Sequence, residues 1–360
     1  MAAKQYIIYR SQKPLFAEAV AELLELAEGA NCGRIVRMVF FGAPQSNTEY
    51  IEQNQIIKDC FSTHSYPILT AYIAQVPLCS SLAVEVTYVP HEASVEFKGD
   101  YMVLDGCEVM TAAIQSDVNL GIGEQSEAIF GRVGEILAVE NIAVDDIVRQ
   151  WNYIENITAI SPQGQHYQLF NDARSAFYAQ CKWLNGYPAA TGIGTQYGGV
   201  VVVLDAMRNS SACSLPVDNP LQISAHNYSQ EVLINSVEKH KTTPKFERAR
   251  FIAGRSPMVY ISGTAAIRGE ASCRDDLTSQ TQLTMENINH LISGENLLKH
   301  GADSFGTMEY RAMRAYLKDK SAWGPAKEWL DDNYPAVEML YLWAGICREE
   351  LLIEIEGIAM

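Results

Sequence analysis

Between residues 260 and 292 the chain reads YISGTAAIRGEASCRDDLTSQTQLTMENINHLI, with Arg268, Glu270, Ser272, Arg274, Asp275 and Asp276 crowded between two apolar segments. A carboxyl group that follows a buried strand is suited to proton transfer, because burial disfavours its charged form and raises its pKa towards neutrality. Glu270 is the candidate acid. Its alternative is a loop glutamate paired with Arg268 or Arg274. Arginine suits a carboxylate-bearing ligand, since its planar fork meets both oxygens. Arg248 follows Phe246 and Glu247 in a basic stretch, and Arg348 lies in the turn between the last two strand-like runs. Each has a plainer alternative as a surface ion pair, Arg348 with Glu349 or Glu350. Tyr228 offers a hydroxyl donor, or packing at a domain seam. By themselves these residue types leave both a surface turn and a site at the mouth of a sheet open.

Charge supports an anionic small molecule rather than a polymer. The 360-residue chain carries a formal charge of −16, which argues against nucleic acid, where a basic face supplies most of the affinity. Yet Lys239, Lys241, Lys245, Arg248, Arg250 and Arg255 fall within 17 positions, opposed there only by Glu247. Such a cluster is either a solvated basic turn or a local funnel for an anion in a repulsive field. The eight cysteines form no CxxC pair and the seven histidines no HExxH spacing, so neither a metal site nor a cofactor is expected. GIGTQYGG at 192–199 has neither the GxGxxG spacing nor a GK[ST] ending and reads as a strand turn. Apolar runs such as VVVVLDAM are strand-length, far short of a membrane span, and the start MAAKQYIIYRSQKPLF lacks a signal-peptide layout; a cytoplasmic protein is expected.

The elements that must position these groups are written three times. A Tyr-Pro opens a pair of strand-like runs at 65–89, 186–207 and 333–358. A helix-like segment precedes each (48–61, 167–181, 324–332), and a strand precedes that (34–43, 146–156, 308–319). Amphipathic helices at 125–137 and 280–292 lead the second and third copies, and 16–27 leads the first, which lacks an obvious leading strand pair. Three related α+β units follow, the first truncated, with boundaries at 1–92, 93–245 and 246–360. The polar, turn-rich chain at 208–245 fits no copy and is long enough to carry function.

This element order resembles the RidA/YjgF-like superfamily, whose fold is similar to that of chorismate mutases, and the ending LLIEIEGIA looks like its C-terminal strand. Because those proteins are trimers with sites between subunits, the resemblance implies three RidA/chorismate-mutase-like units in one chain forming a pseudo-trimer. More closely, the chain resembles the chorismatases through WNYIENI, YQLFNDAR, YPAATGIG, QISAHNY, FERARF, ISGTAAIRGEAS and ICREELLIEIE. That resemblance implies a hydrolase or lyase of natural-product biosynthesis that acts on chorismate or a related aromatic-pathway carboxylate and releases pyruvate. It also implies a site between the second and third units, with Glu270 as the acid and Arg248, Arg348, Tyr228 and Thr264 around the substrate. The partner is then a small anionic substrate, in a monomer or dimer without nucleic acid or membrane.

Two departures qualify this. RidA deaminases carry an arginine after the Tyr-Pro-like motif, where this chain has Leu69, Ala190 and Val337, so imine deamination is not implied. Glu270 also stands one place earlier than the family glutamate, with no preceding histidine. Either Glu270 or Ala271 takes the acid's place. With Ala271 there, the chain is a carboxylate-binding relative or a tailoring enzyme of altered chemistry.

Overall fold

The computed structural model describes residues 4–62, 64–105, 109–229, 242–254, 256–302 and 308–360. The first unit comprises β1 (Gln5–Ser11), α1 (Phe16–Gly29), β2 (Arg34–Phe41), α2 (Asn47–Ser62), β3 (Leu69–Ile73), β4 (Val76–Pro77) and β5 (Leu82–Val89). The second runs through β6 (Val95–Phe97), β7 (Tyr101–Leu104), β8 (Val109–Gln115), α3 (Ile122–Val139), β9 (Ile147–Glu155), β10 (Ile160–Ser161), β11 (Gly164–Gln165), α4 (His166–Tyr178), β12 (Ala189–Thr195) and β13 (Val200–Met207). The connecting segment supplies β14 (Ser214–Val217) to the sheet of the third unit, which holds β15 (Ala249–Ile252), β16 (Met258–Ala265), β17 (Ile267–Arg268), β18 (Ala271–Ser272), α5 (Leu277–Leu291), α6 (Gly294–Lys299), β19 (Tyr310–Leu317), α7 (Trp323–Asn333), β20 (Met339–Trp343) and β21 (Ile353–Ala359).

The repeat read from the three Tyr-Pro segments is a repeat of sheet topology. The orders β1-β5-β2-β3, β8-β13-β9-β12 and β16-β21-β19-β20 each join two antiparallel pairings to one parallel pairing. In each unit one helix links the first two strands in sequence and another crosses over to the parallel edge strand, as parallel pairing requires. The first unit has a single leading strand where the other two have a pair. QYIIYRS forms β1, half-buried and irregular in its alternation, which is why its sequence signal is weak. What that unit lacks are added edge strands: β6 and β7 extend the second sheet, and β14 and β15 the third.

Each sheet is covered on both faces. Their outer faces pack against their own helices, through clusters such as Leu23, Ile57 and Val84 in the first, Phe130, Phe170 and Val202 in the second, and Ile288, Leu330 and Ile355 in the third. The inner faces meet in one shared core that includes Phe41, Trp151 and Tyr316. That burial on both sides explains the near-continuous apolar runs of RIVRMVFF and VVVVLDAM.

Buried ion pairs join the sheets at this centre. Arg37 of β2 reaches Asp205 of β13 at 2.8 Å, Arg314 of β19 reaches Glu85 of β5 at 2.6 Å, and Arg149 of β9 pairs with Glu356 of β21. The pairs run from first sheet to second, second to third and third to first. All three guanidiniums lie 4.5–5.7 Å from the ring of Trp151. Among the described residues, no helix is long and apolar enough to cross a membrane.

Candidate functional site

A narrow cavity of about 80 Å³ lies where β12, the edge of the second sheet, meets β16 of the third. Two hydroxyls hold that seam: Ala190 N donates to Ser262 Oγ at 2.9 Å and Gly263 N to Thr191 Oγ1 at 3.0 Å. Strand alternation then turns Ala190 and Gly192 of β12, and Gly263 and Ala265 of β16, towards the cavity. Helix α4 adds Tyr167, Gln168 and Asn171, one and four residues apart on a single face. The turn before β21 supplies Cys347, Arg348 and Leu351, and β21 itself supplies Glu354. Tyr228, Pro244, Phe246 and Arg248 close the remaining side from the polar connecting segment and the start of the third unit.

The two expected arginines both line this cavity. Arg248, 2% exposed, donates through Nη2 to the Ile223 carbonyl and the Tyr228 hydroxyl, each at 2.6 Å, while its Nε has no partner. Arg348, 9% exposed, donates through Nη1 to the Glu270 carbonyl and to Ser272 Oγ, each at 2.9 Å. Their guanidinium carbons lie 5.6 Å and 5.1 Å from the Tyr228 ring centre. Neither is in an ion pair with a carboxylate among the described residues. Two buried guanidiniums outside any such pair suit a ligand's carboxylates. Tyr228 therefore orients both arginines as well as lining the cavity.

Glu354 is the buried acid of this cavity. It is 6% exposed, and burial, reinforced by the neighbouring Glu356 carboxylate, pushes its pKa up to about 8. At neutral pH it holds its proton. Glu356, two residues on and on the same face of β21, is ionised instead, held below its ordinary range by Arg149 and Arg314 with further hydrogen bonds from Thr191 and Tyr316. Two carboxyl groups on one strand, driven apart by their surroundings, divide into a proton donor and a fixed anion. Gly263 makes the space: a Cβ there would lie 2.0 Å from Glu354 Oε1. Burial also keeps the Cys347 thiol protonated, its pKa pushed up to about 12.

Glu270 occupies a different place from the one expected. It is half-buried, is not among the residues that line the cavity, and accepts from Ser229 N at 2.8 Å through Oε2. That backbone bond lowers its pKa, where the acid role requires a raised one. Its own carbonyl, not its carboxylate, serves the cavity by holding Arg348. Ala271 is exposed, so neither alignment of the loop puts a proton donor in the cavity. Thr264 is also turned away: it is buried, with its hydroxyl on the Ser262 carbonyl at 2.9 Å, while its strand neighbours Gly263 and Ala265 face the cavity. The other charges of this stretch build local structure. Arg268 binds Asn287 and Glu286, and Asp276 caps α5 by accepting from Ser279 N at 2.9 Å.

The basic stretch divides in the same way. Arg250 donates to the carbonyls of Asn185, Gly186 and Tyr187 and to Ser214 Oγ, fixing the Tyr-Pro turn that leads into β12. Lys245 bonds Thr243 and lies over the Tyr187 ring. Lys239, Lys241 and Arg255 lie outside the described residues. Glu354 was legible as a signal the motifs passed over: LLIEIEGIA sets two acids at alternate positions in an otherwise apolar strand, an inward-facing polar pair.

Known proteins resemble this chain in sequence and in fold. A family model described as chorismatase FkbO/Hyg5-like, N-terminal, covers residues 85–206. A 3-hydroxybenzoate synthase of Streptomyces hygroscopicus is 30% identical over 247 residues, 66% of this chain and 69% of that protein. The chain belongs to the chorismatase family. A chorismatase of Streptomyces rapamycinicus is 26% identical over 228 residues, 61% of this chain and 66% of that relative. The crystal structure of a chorismatase superposes with a TM-score of 0.76 at 17% identity, covering 100% of this chain and 99% of that one, and shares the fold of this family member end to end.

Proposed function

We propose that this chain acts on chorismate, or a closely related enol-ether dicarboxylate, and releases pyruvate with Glu354 as the acid. One observation carries the reading: Glu354, a buried carboxyl group whose pKa is pushed up to about 8, lines one narrow cavity with Arg248 and Arg348, two buried arginines that form no ion pair among the described residues. Chorismate bears two carboxylates and an enol-pyruvyl ether. One carboxylate replaces Tyr228 and the Ile223 carbonyl on Arg248, and the other engages Arg348, which Glu270 and Ser272 hold from behind. Because the cavity is narrow, entry of the ligand separates Arg248 from Tyr228.

The Glu354 proton passes to the terminal methylene carbon, whose double-bond electrons form the new C–H bond. The adjacent carbon becomes an oxocarbenium cation, sharing positive charge with the ether oxygen, and the Glu354 carboxylate left behind offsets that charge. Positioned acid catalysis of this kind contributes roughly 10²–10⁴ in rate. Hydrolysis then takes up one water and yields pyruvate and a dihydroxy-diene acid. Elimination takes up none and yields pyruvate and a hydroxybenzoate. The 30%-identical relative carries the name 3-hydroxybenzoate synthase, which favours a hydroxybenzoate as the ring product.

The closed circuit of ion pairs supports a related structural proposal. Units at 1–92, 93–245 and 246–360 form a covalent pseudo-trimer, so the cavity between the second and third units needs no other chain. Incubation with chorismate, with pyruvate followed enzymatically and the ring product identified by chromatography, tests the reaction. Tight binding without pyruvate would instead make this a binding protein or a tailoring enzyme of different chemistry.

A further inference from the structure

We propose that the cleft between the first and second units is a second ligand site, which binds a small aromatic monocarboxylate and does not transform it. The inference rests on where the reaction cavity sits in the fold, not on which reaction runs there. That cavity lies between α4 and β12 of one unit and β16 and β21 of the next. Under the repeat of sheet topology, the corresponding place is between α2 and β3 of the first unit and β8 and β13 of the second. A cleft of about 620 Å³ occupies it, with Lys58, Phe61, Thr70, Tyr72, Ala113 and Val201 among its walls. This is several times roomier than the reaction cavity and within the range of small-molecule sites. The third such place, between α7 and β20 of the third unit and β1 and β5 of the first, is covered. There β4 pairs with β20, and Arg10 binds Glu338 and the Met339 carbonyl.

The register says why nothing would react in the open cleft. Asp205 stands opposite Arg149 as Glu356 stands opposite Arg314. Two residues back on each strand come Val203 and Glu354, so an apolar side chain holds the position of the proton donor. The walls define the ligand. Aromatic and aliphatic side chains face a flat ring, and Phe97, 38% exposed, stands at the lip. Asp100, the acidic residue among the walls, is already paired, with both of its oxygens accepting from Arg132. Lys58 is exposed and has no acidic partner among the described residues, which leaves one cation for one carboxylate.

Calorimetric titration of the whole chain with 3-hydroxybenzoate, and with 3-hydroxybenzyl alcohol as its uncharged counterpart, tests this. Two equivalents of the acid per chain are expected. Arg248→Ala should remove one of them and Ala113→Trp the other, with pyruvate release by Ala113→Trp unchanged. Lys58→Glu should weaken only the second class of site, by roughly five- to tenfold, the scale of an accessible ion pair reversed in sign. If Ala113→Trp fails to fold, Thr70→Trp on the edge strand fills the same space. Crystals soaked in 3-bromobenzoate should show bromine in the cleft. A single equivalent in the unmodified protein, two equivalents retained with the cleft filled, or a cleft without bromine would overturn the proposal. Loss of chorismate turnover with both binding events intact would count against the proposed reaction and leave the second site standing.

Discussion

Glu354 and Glu356 lie two residues apart on one face of β21, yet one is held neutral and the other ionised. The difference is made by arginines from two sheets. Arg149 and Arg314 both pair with Glu356, whereas Glu354 is buried in a cavity whose own arginines form no ion pair among the described residues.

Replacing Glu354 by Gln keeps the shape and removes the proton. Pyruvate release should fall by roughly 10²–10⁴ while ligand affinity is retained. Glu270→Gln is the control, because its backbone carbonyl, which holds Arg348, survives the change. Equal losses from both variants would restore Glu270 as a candidate acid.

The pH dependence follows from the raised pKa of Glu354. Its acid form is present below about 8, so the rate constant at saturation should decline as pH rises through that value. Stability carries the same sign. The folded state holds this proton more tightly than the unfolded chain, whose ordinary value is 4.5, so the contribution is complete below 4.5 and is lost as pH rises to about 8. Thermal midpoints should therefore decline over that window in the wild type and decline less in Glu354→Gln.

Arg248→Ala and Arg348→Ala should each weaken ligand binding by ~1.5–3 kcal/mol, the range for hydrogen bonds to charged groups. Titration with chorismate in the Glu354→Gln background separates this from turnover. Unchanged affinity in both variants would mean that the carboxylates bind elsewhere.

Gly263→Ala tests how finely the acid is placed. The added Cβ would meet the far end of the Glu354 side chain at 2.0 Å, and Thr191 Cγ2 at 3.1 Å. A flexible carboxyl can move aside at small cost in stability, but a displacement near 1 Å is worth ~10² in rate. Turnover should therefore fall by about that factor with a thermal midpoint close to wild type.

Asp205→Ala leaves Lys4 and Arg37 buried without their shared partner. Breaking a buried pair from one side costs ~3–5 kcal/mol, and chemical denaturation should register it. The same change at an exposed pair such as Lys299–Glu295 should be near neutral.

The sequence by itself determined the order of strands and helices. Tyr-Pro punctuation, period-two strands and amphipathic helices such as α1 and α5 are local properties, legible because each element writes its burial into its own residues. The motifs around Arg248, Arg348 and Tyr228 were legible for the same reason, since each lies in a short, distinctive string. Tertiary structure alone decided which carboxyl group meets them. A one-residue offset flips a strand residue from one face to the other, so the short loop at 268–276 left Glu270 undetermined, and it faces Ser229. The proton-holding capacity of Glu354 depends on desolvation by another unit, on Glu356 and on arginines far away in the chain. Those distances exist only once the three sheets close on one core, and no periodicity within β21 encodes them.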